Sequence, residues 1–452
     1  MSLLIKSDYM LFLRHPAWLW VKKNEPNKIP PVDENTQAMF DAGHQFEPYA
    51  ESLFPEGVTL GFSDYDEYRT LPQRTQDAIE RGDQVLFQPC FYWKEFTCIC
   101  DIVSFIGDNE VDLYEIKSST KVKPEHVYDL AFQTALLEGN GLKVRNIYVI
   151  HVNNQYVRHG EVKADGITTI TDITAKVRAK SLETEQNMAQ ALVVAASPTM
   201  PDPNPDLTKL NSKKDWLPIY RNIVGETTKP IHNAQPIVNK EALSHFLGEL
   251  EYPLFFLDYE TMSGLIPYFN GHRPYQQVPF QYSLHILESP EASVTQKEYL
   301  HRDNSDPSRP LTEQLLKDIG NKGSVLVWFE GFEKARNSEL GQMLPEYQEA
   351  MEAINDRIVD LMIPFKNKWY DDPRFDGSAS IKYVLPVLCP ELSYKELDIQ
   401  EGGSAQRLWM EAVLDNKRAG EKDKILDDLL AYCTLDTLAM VEIYKKLTES
   451  VV

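Results

Sequence analysis

Two acids separated by one residue stand at the end of the run YPLFFLDYET, residues 252–261. The apolar residues 254–257 predict a short buried strand. Side chains two apart on a strand share a face, so Asp258 and Glu260 project together. Two bare carboxylates about 4 Å apart repel by about 4 kcal/mol at an effective dielectric near 20. A cation between them removes that cost. The alternative is a strand end whose acids are solvated. Far downstream, LLAYCTLDTLAMVEIY has helical spacing, and Tyr432 and Asp436, four apart, fall on one helix face. Between them, residues 325–329 read as a buried strand leading into a helix that opens near Glu333. A second set lies earlier in the chain. Asp101 ends the strand FTCICD, LYEIKSS puts Glu115 and Lys117 on one strand face, and Gln133 follows on a helix in DLAFQTALL. Upstream, Glu47 sits on a helix four residues after Gly43.

The later set resembles the DEDD exonuclease superfamily, tyrosine subtype, with its RNase H-like (DnaQ-like) fold. Asp258 and Glu260 match its Asp-x-Glu strand motif, and Tyr432 and Asp436 match Tyr-x-x-x-Asp on a helix. The middle motif supplies an acid in an Asn-x-x-Phe-Asp context. Here the phenylalanine is Phe332, the acid is Glu333, and Phe329 stands where Asn is usual. Asp360 is the alternative third acid. The resemblance implies two Mg²⁺ or Mn²⁺ ions held by the four carboxylates, with Tyr432 orienting the attacking water. It also implies 3′–5′ trimming of DNA or RNA. The stretch RPYQQVPFQYSLH is similar to one in bacterial proteins that carry this domain.

The earlier set resembles the PD-(D/E)XK nucleases of RecB type. There Asp101 and Glu115 would bind a metal, Lys117 would support the attacking water, and Glu47 would fill a helical position often held by His. Gln133 matches the start of a Gln-x-x-x-Tyr motif whose last position is Leu137 here. Many relatives hold an iron–sulfur cluster with one early and three late cysteines. In this chain the early Cys-Pro reads His15-Pro16, and no cysteine lies between Cys100 and Cys389, so no cluster is expected. The five cysteines are odd in number and scattered, and suggest no disulfide framework.

These readings need two α/β domains to position them. The chain has 452 residues, long for a single core, with 42% hydrophobic and 25% charged residues. The expected fold is a PD-(D/E)XK-like mixed sheet with flanking helices, then an RNase H-like mixed sheet with flanking helices. Residues 1–195 form the first domain and 241–452 the second. Residues 196–240 are a Pro/Asp/Asn-rich linker and bridge. Within the first, QVLFQPCFYW, EFTCICDIVSFIG and EVDLYEIKSS read as strands, with a turn at Gly107-Asp108-Asn109 between the last two. Trp18, Trp20, Lys22 and Lys23 read as a core helix with a solvated end, or as an aromatic–basic strand grip. No apolar run approaches the roughly 20 residues of a membrane span, and the N-terminus lacks a signal-peptide core, so a cytoplasmic protein is expected. The net charge of −22 excludes a broad basic coat for nucleic acid but not a carboxylate-lined metal site. The rival readings are a non-catalytic nucleic-acid adaptor in a defence or repair complex, and a protein in which one of the two domains is active.

Overall fold

The computed structural model describes residues 3–107, 109–225 and 235–452. Asp108 of the expected turn and part of the expected linker lie outside them. The fold is mixed α/β throughout and divides into two compact units, Met1–Thr228 with Leu265–Pro274, and Lys229–Gly264 with Tyr275–Val452.

Unit 1 begins with β1 (Leu4–Ile5), α1 (Lys6–Arg14), α2 (Pro16–Asn24), α3 (Glu34–His44), α4 (Glu47–Glu51), β2 (Val58–Thr59) and α5 (Tyr65–Arg81). Then come β3 (Val85–Phe87), β4 (Cys90–Trp93), β5 (Phe96–Ile99), β6 (Ile102–Phe105), β7 (Glu110–Lys117), α6 (Pro124–Gly139) and β8 (Lys143–Val152). It continues with α7 (Ala164–Ile167), β9 (Thr168–Asp172), α8 (Thr174–Arg178), α9 (Ser181–Ala196) and α10 (Lys213–Val224). The main sheet runs β2-β3-β6-β7-β8-β9, with β7 parallel to β8 and antiparallel to β6.

The runs QVLFQPCFYW and EFTCICDIVSFIG are not single strands. Gln88 takes a positive φ of 56°, and Pro89 follows it, which ends β3. The β4–β5 hairpin then leaves the main sheet and joins β1 in a three-stranded one. On β7, Val111 and Leu113 pack into the core that α6 covers with Leu130, Phe132 and Leu136. Alternation carries Glu115 and Lys117 onto that same α6 side.

The segment expected to be a linker is partly built into unit 1. Trp216 of α10 is fully buried beside Trp18 and Trp20, its ring stacked on His15 at 4.5 Å, and its Nε1 donates to the Pro203 carbonyl at 2.9 Å. The side chain of His15, in its turn, accepts from the Ala17 amide and caps α2. Lys22 and Lys23 pair with buried Asp8, so the aromatic–basic cluster is a core helix with its ammonium groups engaged.

Unit 2 contains β10 (Ile237–Val238), α11 (Lys240–Gly248), β11 (Leu254–Met262), β12 (Val278–Leu287), β13 (Thr295–Leu300), α12 (Ser308–Ile319), β14 (Val325–Val327) and α13 (Glu330–Met343). After these come α14 (Gln348–Asn355), β15 (Ile358–Asp360), α15 (Ile363–Lys366), β16 (Tyr370–Asp371), α16 (Ile381–Leu388), α17 (Gly402–Trp409) and α18 (Lys422–Val451). Its five-stranded sheet runs β13-β12-β11-β14-β15. The β11 strand is central, antiparallel to β12 and parallel to β14.

Both faces of β11 are covered. Leu254 and Phe256 pack with Met440, Val441, Ile443 and Leu447 of α18. Phe255, Leu257 and Tyr259 pack with Leu311, Leu315 and Ile319 of α12. The strand period of two therefore turns Asp258 and Glu260 toward α18, the helix that carries Tyr432 and Asp436. No described helix is long and apolar enough to cross a membrane.

Candidate functional site

In unit 2 the sheet and α18 bring three of the expected acids to one cavity. Asp258, Glu260, Tyr432 and Asp436 line a hollow of about 370 Å³, together with Trp328 and Lys382 among others. Glu260 and Glu333 are buried, and Asp258 and Asp436 are half-buried. Ligand-capable atoms of Asp258, Glu260 and Cys433 all lie within 4.8 Å of one another. Asp436 accepts hydrogen bonds from the hydroxyls of Tyr394, at 2.5 Å, and Tyr432.

The electrostatics are those of anions crowded together. Burial, then the charges of Asp436, Glu260 and Glu333, push the Asp258 carboxyl well above the usual range. Burial and Asp436 do the same to Glu260, against the ammonium of Lys382. Burial lifts Asp436 to about 6, opposed by Tyr394, Lys382 and Tyr432. Burial lifts Glu333 to about 8, with Asp360 adding and the local backbone and Arg336 opposing. Glu333 lies in the first turn of α13, and its Oε2 is buried with no hydrogen-bond partner among the described residues. Asp360 is otherwise employed: its Oδ1 accepts from the Phe329 amide at 3.0 Å and the Met362 amide at 2.9 Å, tying the end of β15 to the start of α13.

This donor set fits a hard divalent cation. Carboxylate oxygens are the ligands Mg²⁺ and Mn²⁺ prefer, and a buried orphan oxygen on Glu333 calls for a partner. Cys433 does not add a soft ligand. Burial and the charges of Asp258, Glu260 and Asp436 hold its thiol far above the usual range, so it stays protonated and donates weakly toward Asp258.

In unit 1 the structure joins Asp101, Glu115, Lys117 and Gln133, and adds two residues absent from the sequence reading, Lys6 and Asp129. Lys117 Nζ lies 2.6 Å from Glu115 Oε1 and 2.8 Å from Asp129 Oδ2. Lys6 Nζ lies 2.8 Å from Glu115 Oε1. Gln133 Nε2 donates to Glu115 Oε2 at 2.7 Å and Asp129 Oδ1 at 2.9 Å. Asp101 Oδ2 accepts from the Ile116 amide at 2.7 Å. Burial and the Glu115 charge push Asp101 up to about 7, against Lys6 and Lys117. Burial alone would lower Lys117, but Glu115 and Asp129 outweigh it and hold its ammonium above the usual range. Every oxygen of Glu115 and Asp129 thus meets an ammonium or an amide. As built, the cluster is a closed ion-pair network and does not fit a divalent cation.

Glu47 is in none of these ion pairs among the described residues; it lies half-exposed at the start of α4, with His44 Nδ1 2.9 Å from its Oε1. The neighbouring helix α3 does approach the end of β7, where a Cβ on Gly43 would lie 3.7 Å from Ser118 Oγ. Asp129 had a sequence signal, since it sits four residues before Gln133 on α6. Lys6, Lys382 and Tyr394 had none, because only long-range folding brings them in.

Residues 255–380 match the family model of a domain of unknown function (DUF2779), a span that contains Asp258, Glu260, Glu333 and Asp360. An uncharacterized protein of Mycoplasma genitalium is 27% identical over 208 residues, which make up 42% of this chain and 31% of that protein. The chain thus spans about a third of the curated relative it matches.

Proposed function

We propose that the protein is a divalent-metal-dependent nuclease that trims DNA or RNA from the 3′ end, with its main centre in unit 2. The observation that carries this reading is the gathering of Asp258, Glu260 and Asp436 with Tyr432 around one cavity, with the charge of buried Glu333 reaching Asp258. Once ionised, such a group is costly unless cations balance it. Asp258, Glu260, Asp436 and Glu333 would hold Mg²⁺ or Mn²⁺, and the bound ions would supply an acidified water and positive charge at the leaving oxygen. Tyr432, whose hydroxyl bonds to Asp436, would orient the attacking water. Lys382, on the cavity wall, presents an ammonium to the phosphate of the strand. This reading resembles the DEDD exonucleases on an RNase H-like sheet.

A second hydrolytic centre of PD-(D/E)XK type in unit 1, with Asp101 and Glu115 as acids and Lys117 as the ammonium beside the water, would require the ion pairs on Glu115 to open first. The engaged oxygens of Glu115 and Asp129 favour a second reading, in which unit 2 alone cuts and unit 1 holds nucleic acid. A cytoplasmic location suits either reading. The acidic balance of the chain leaves a role for a partner protein that helps hold the strand, as in a defence or repair complex.

The test is purified protein with 5′-labelled DNA and RNA in Mg²⁺, Mn²⁺ or EDTA. A ladder of products shortened from the 3′ end, absent in EDTA, is expected. If no substrate is cut with either metal, the enzyme reading fails and a nucleic-acid adaptor replaces it.

A further inference from the structure

The acids of unit 1 face two ammonium groups of different origin. Lys117 belongs to β7 and follows Glu115 along one face of the strand. Lys6 is the first residue of α1, 109 positions from Glu115 in sequence. Its Nζ stands 2.8 Å from Glu115 Oε1 and 3.6 Å from Asp129 Oδ1. Lys117 occupies the same Glu115 oxygen at 2.6 Å, and Gln133 takes the other at 2.7 Å. A hard divalent cation needs those oxygens and a near-complete oxygen shell. It would also meet the repulsion of the ammonium already seated there.

We propose that Lys6 is the resident cation of the unit 1 centre, occupying its carboxylates in place of a divalent ion and setting by competition how tightly unit 1 takes one. Lys6, not Lys117, is the group that yields. Lys117 is close to two carboxylates, Glu115 and Asp129, and is fixed in the central part of the sheet. Lys6 has one carboxylate at close range and extends from the start of a helix. Withdrawing Lys6 removes one of the two ammonium charges from Glu115 Oε1, leaving Lys117 on it at 2.6 Å, and takes a positive charge away from Asp101; the carboxylates that remain are the donor type a divalent ion uses. The consequence for catalysis rests on the reading of unit 1 as a second hydrolytic centre, but the cation competition does not, so its test is binding.

The experiment uses the full chain carrying Asp258→Asn and Asp436→Asn, which remove two of the four unit 2 acids, and measures Mn²⁺ binding by the spin-resonance signal of the free ion. Adding Lys6→Met should tighten Mn²⁺ binding by at least about tenfold, as expected for removing a like charge a few ångströms from the ion. A further Glu115→Gln should abolish the gain. Equal affinity with and without Lys6, whether strong, weak or undetectable, overturns the proposal, and so does a gain that survives Glu115→Gln. If Lys6→Met does not fold, the unsubstituted chain decides through acylation of its lysines read by mass spectrometry. Saturating Mn²⁺ should raise the reactivity of Lys6, and EDTA should reverse it; unchanged reactivity overturns the proposal. Loss of 3′ trimming by the wild-type chain would instead count against the nuclease reading and leave this one standing.

Discussion

Glu333 is the residue where this chain leaves the pattern it resembles, and its surroundings make a sharp pH prediction. Its carboxyl moves from 4.5 to about 8 on folding, chiefly through burial, and Asp436 moves from 3.8 to about 6 for the same first reason. An acid raised by folding gives stability that is full below its unfolded value and is lost as pH rises through its folded value. The metal-free protein should therefore melt at progressively lower temperature as pH climbs from about 4 to about 8. Mg²⁺ should flatten that fall, because it stabilises the ionised acids. Glu333→Gln should make the fall between about 6 and 8 shallower, leaving the share of Asp258 and Glu260, which burial also raises, and slow 3′ trimming by about a hundredfold or more. A melting profile that ignores pH in EDTA would mean that these acids do not face one another as described. Asp258 and Glu260 were legible because strand alternation is a local rule. Tyr394 was not: it reaches Asp436 from a stretch 42 residues away that has no periodic pattern.

At the scale of elements, the turn between β14 and α13 places Glu333, and it does so with strain. Phe329 caps α13 in a left-handed conformation, φ 88° and ψ 77°, fixed by its amide's bond to Asp360, while its ring is about half exposed. A bulky residue in that region costs about 1–2 kcal/mol. Asn tolerates it far better and can also accept from a first-turn amide of the helix. Phe329→Asn should stabilise the protein by about 1 kcal/mol and raise its melting point by about 2–4 °C for a unit of this size. A lower melting point would show that the ring contributes packing not evident from its exposure. Elements with strong patterns were legible: α6, β11, β12 and α18 follow from their apolar spacing. The edge strand β13, TQKEYL, was not, because its exposed polar residues carry no alternation. Nor was β15, which is only three residues long. The β3–β4 break falls at Gln88-Pro89 inside an otherwise apolar run; the proline was its sequence signal, and the positive φ of Gln88 completes the break.

The whole molecule carries two acidic centres in two separately cored units, and that division is itself testable. Trp216 shows why the boundary was hard to read: Pro and Asn in residues 197–213 signal a loop, yet the helix that follows buries its indole in unit 1. Composition marks where a chain turns, whereas burial decides which unit owns it. Asp258 and Lys117 fall in different units. Asp258→Ala should therefore abolish stepwise 3′ trimming while the fold persists, with the metal-free melting point unchanged or slightly higher because one of four mutually repelling acids is gone. Lys117→Ala should leave that trimming intact and remove any residual cleavage that survives Asp258→Ala. The measurement is a product ladder from each single variant and from the pair. If Lys117→Ala alone silences the ladder, cleavage in unit 2 depends on unit 1 and the two centres act as one. If Asp258→Ala leaves the ladder unchanged, the four acids of unit 2 are not a nuclease centre, and their crowding serves a cation with another purpose.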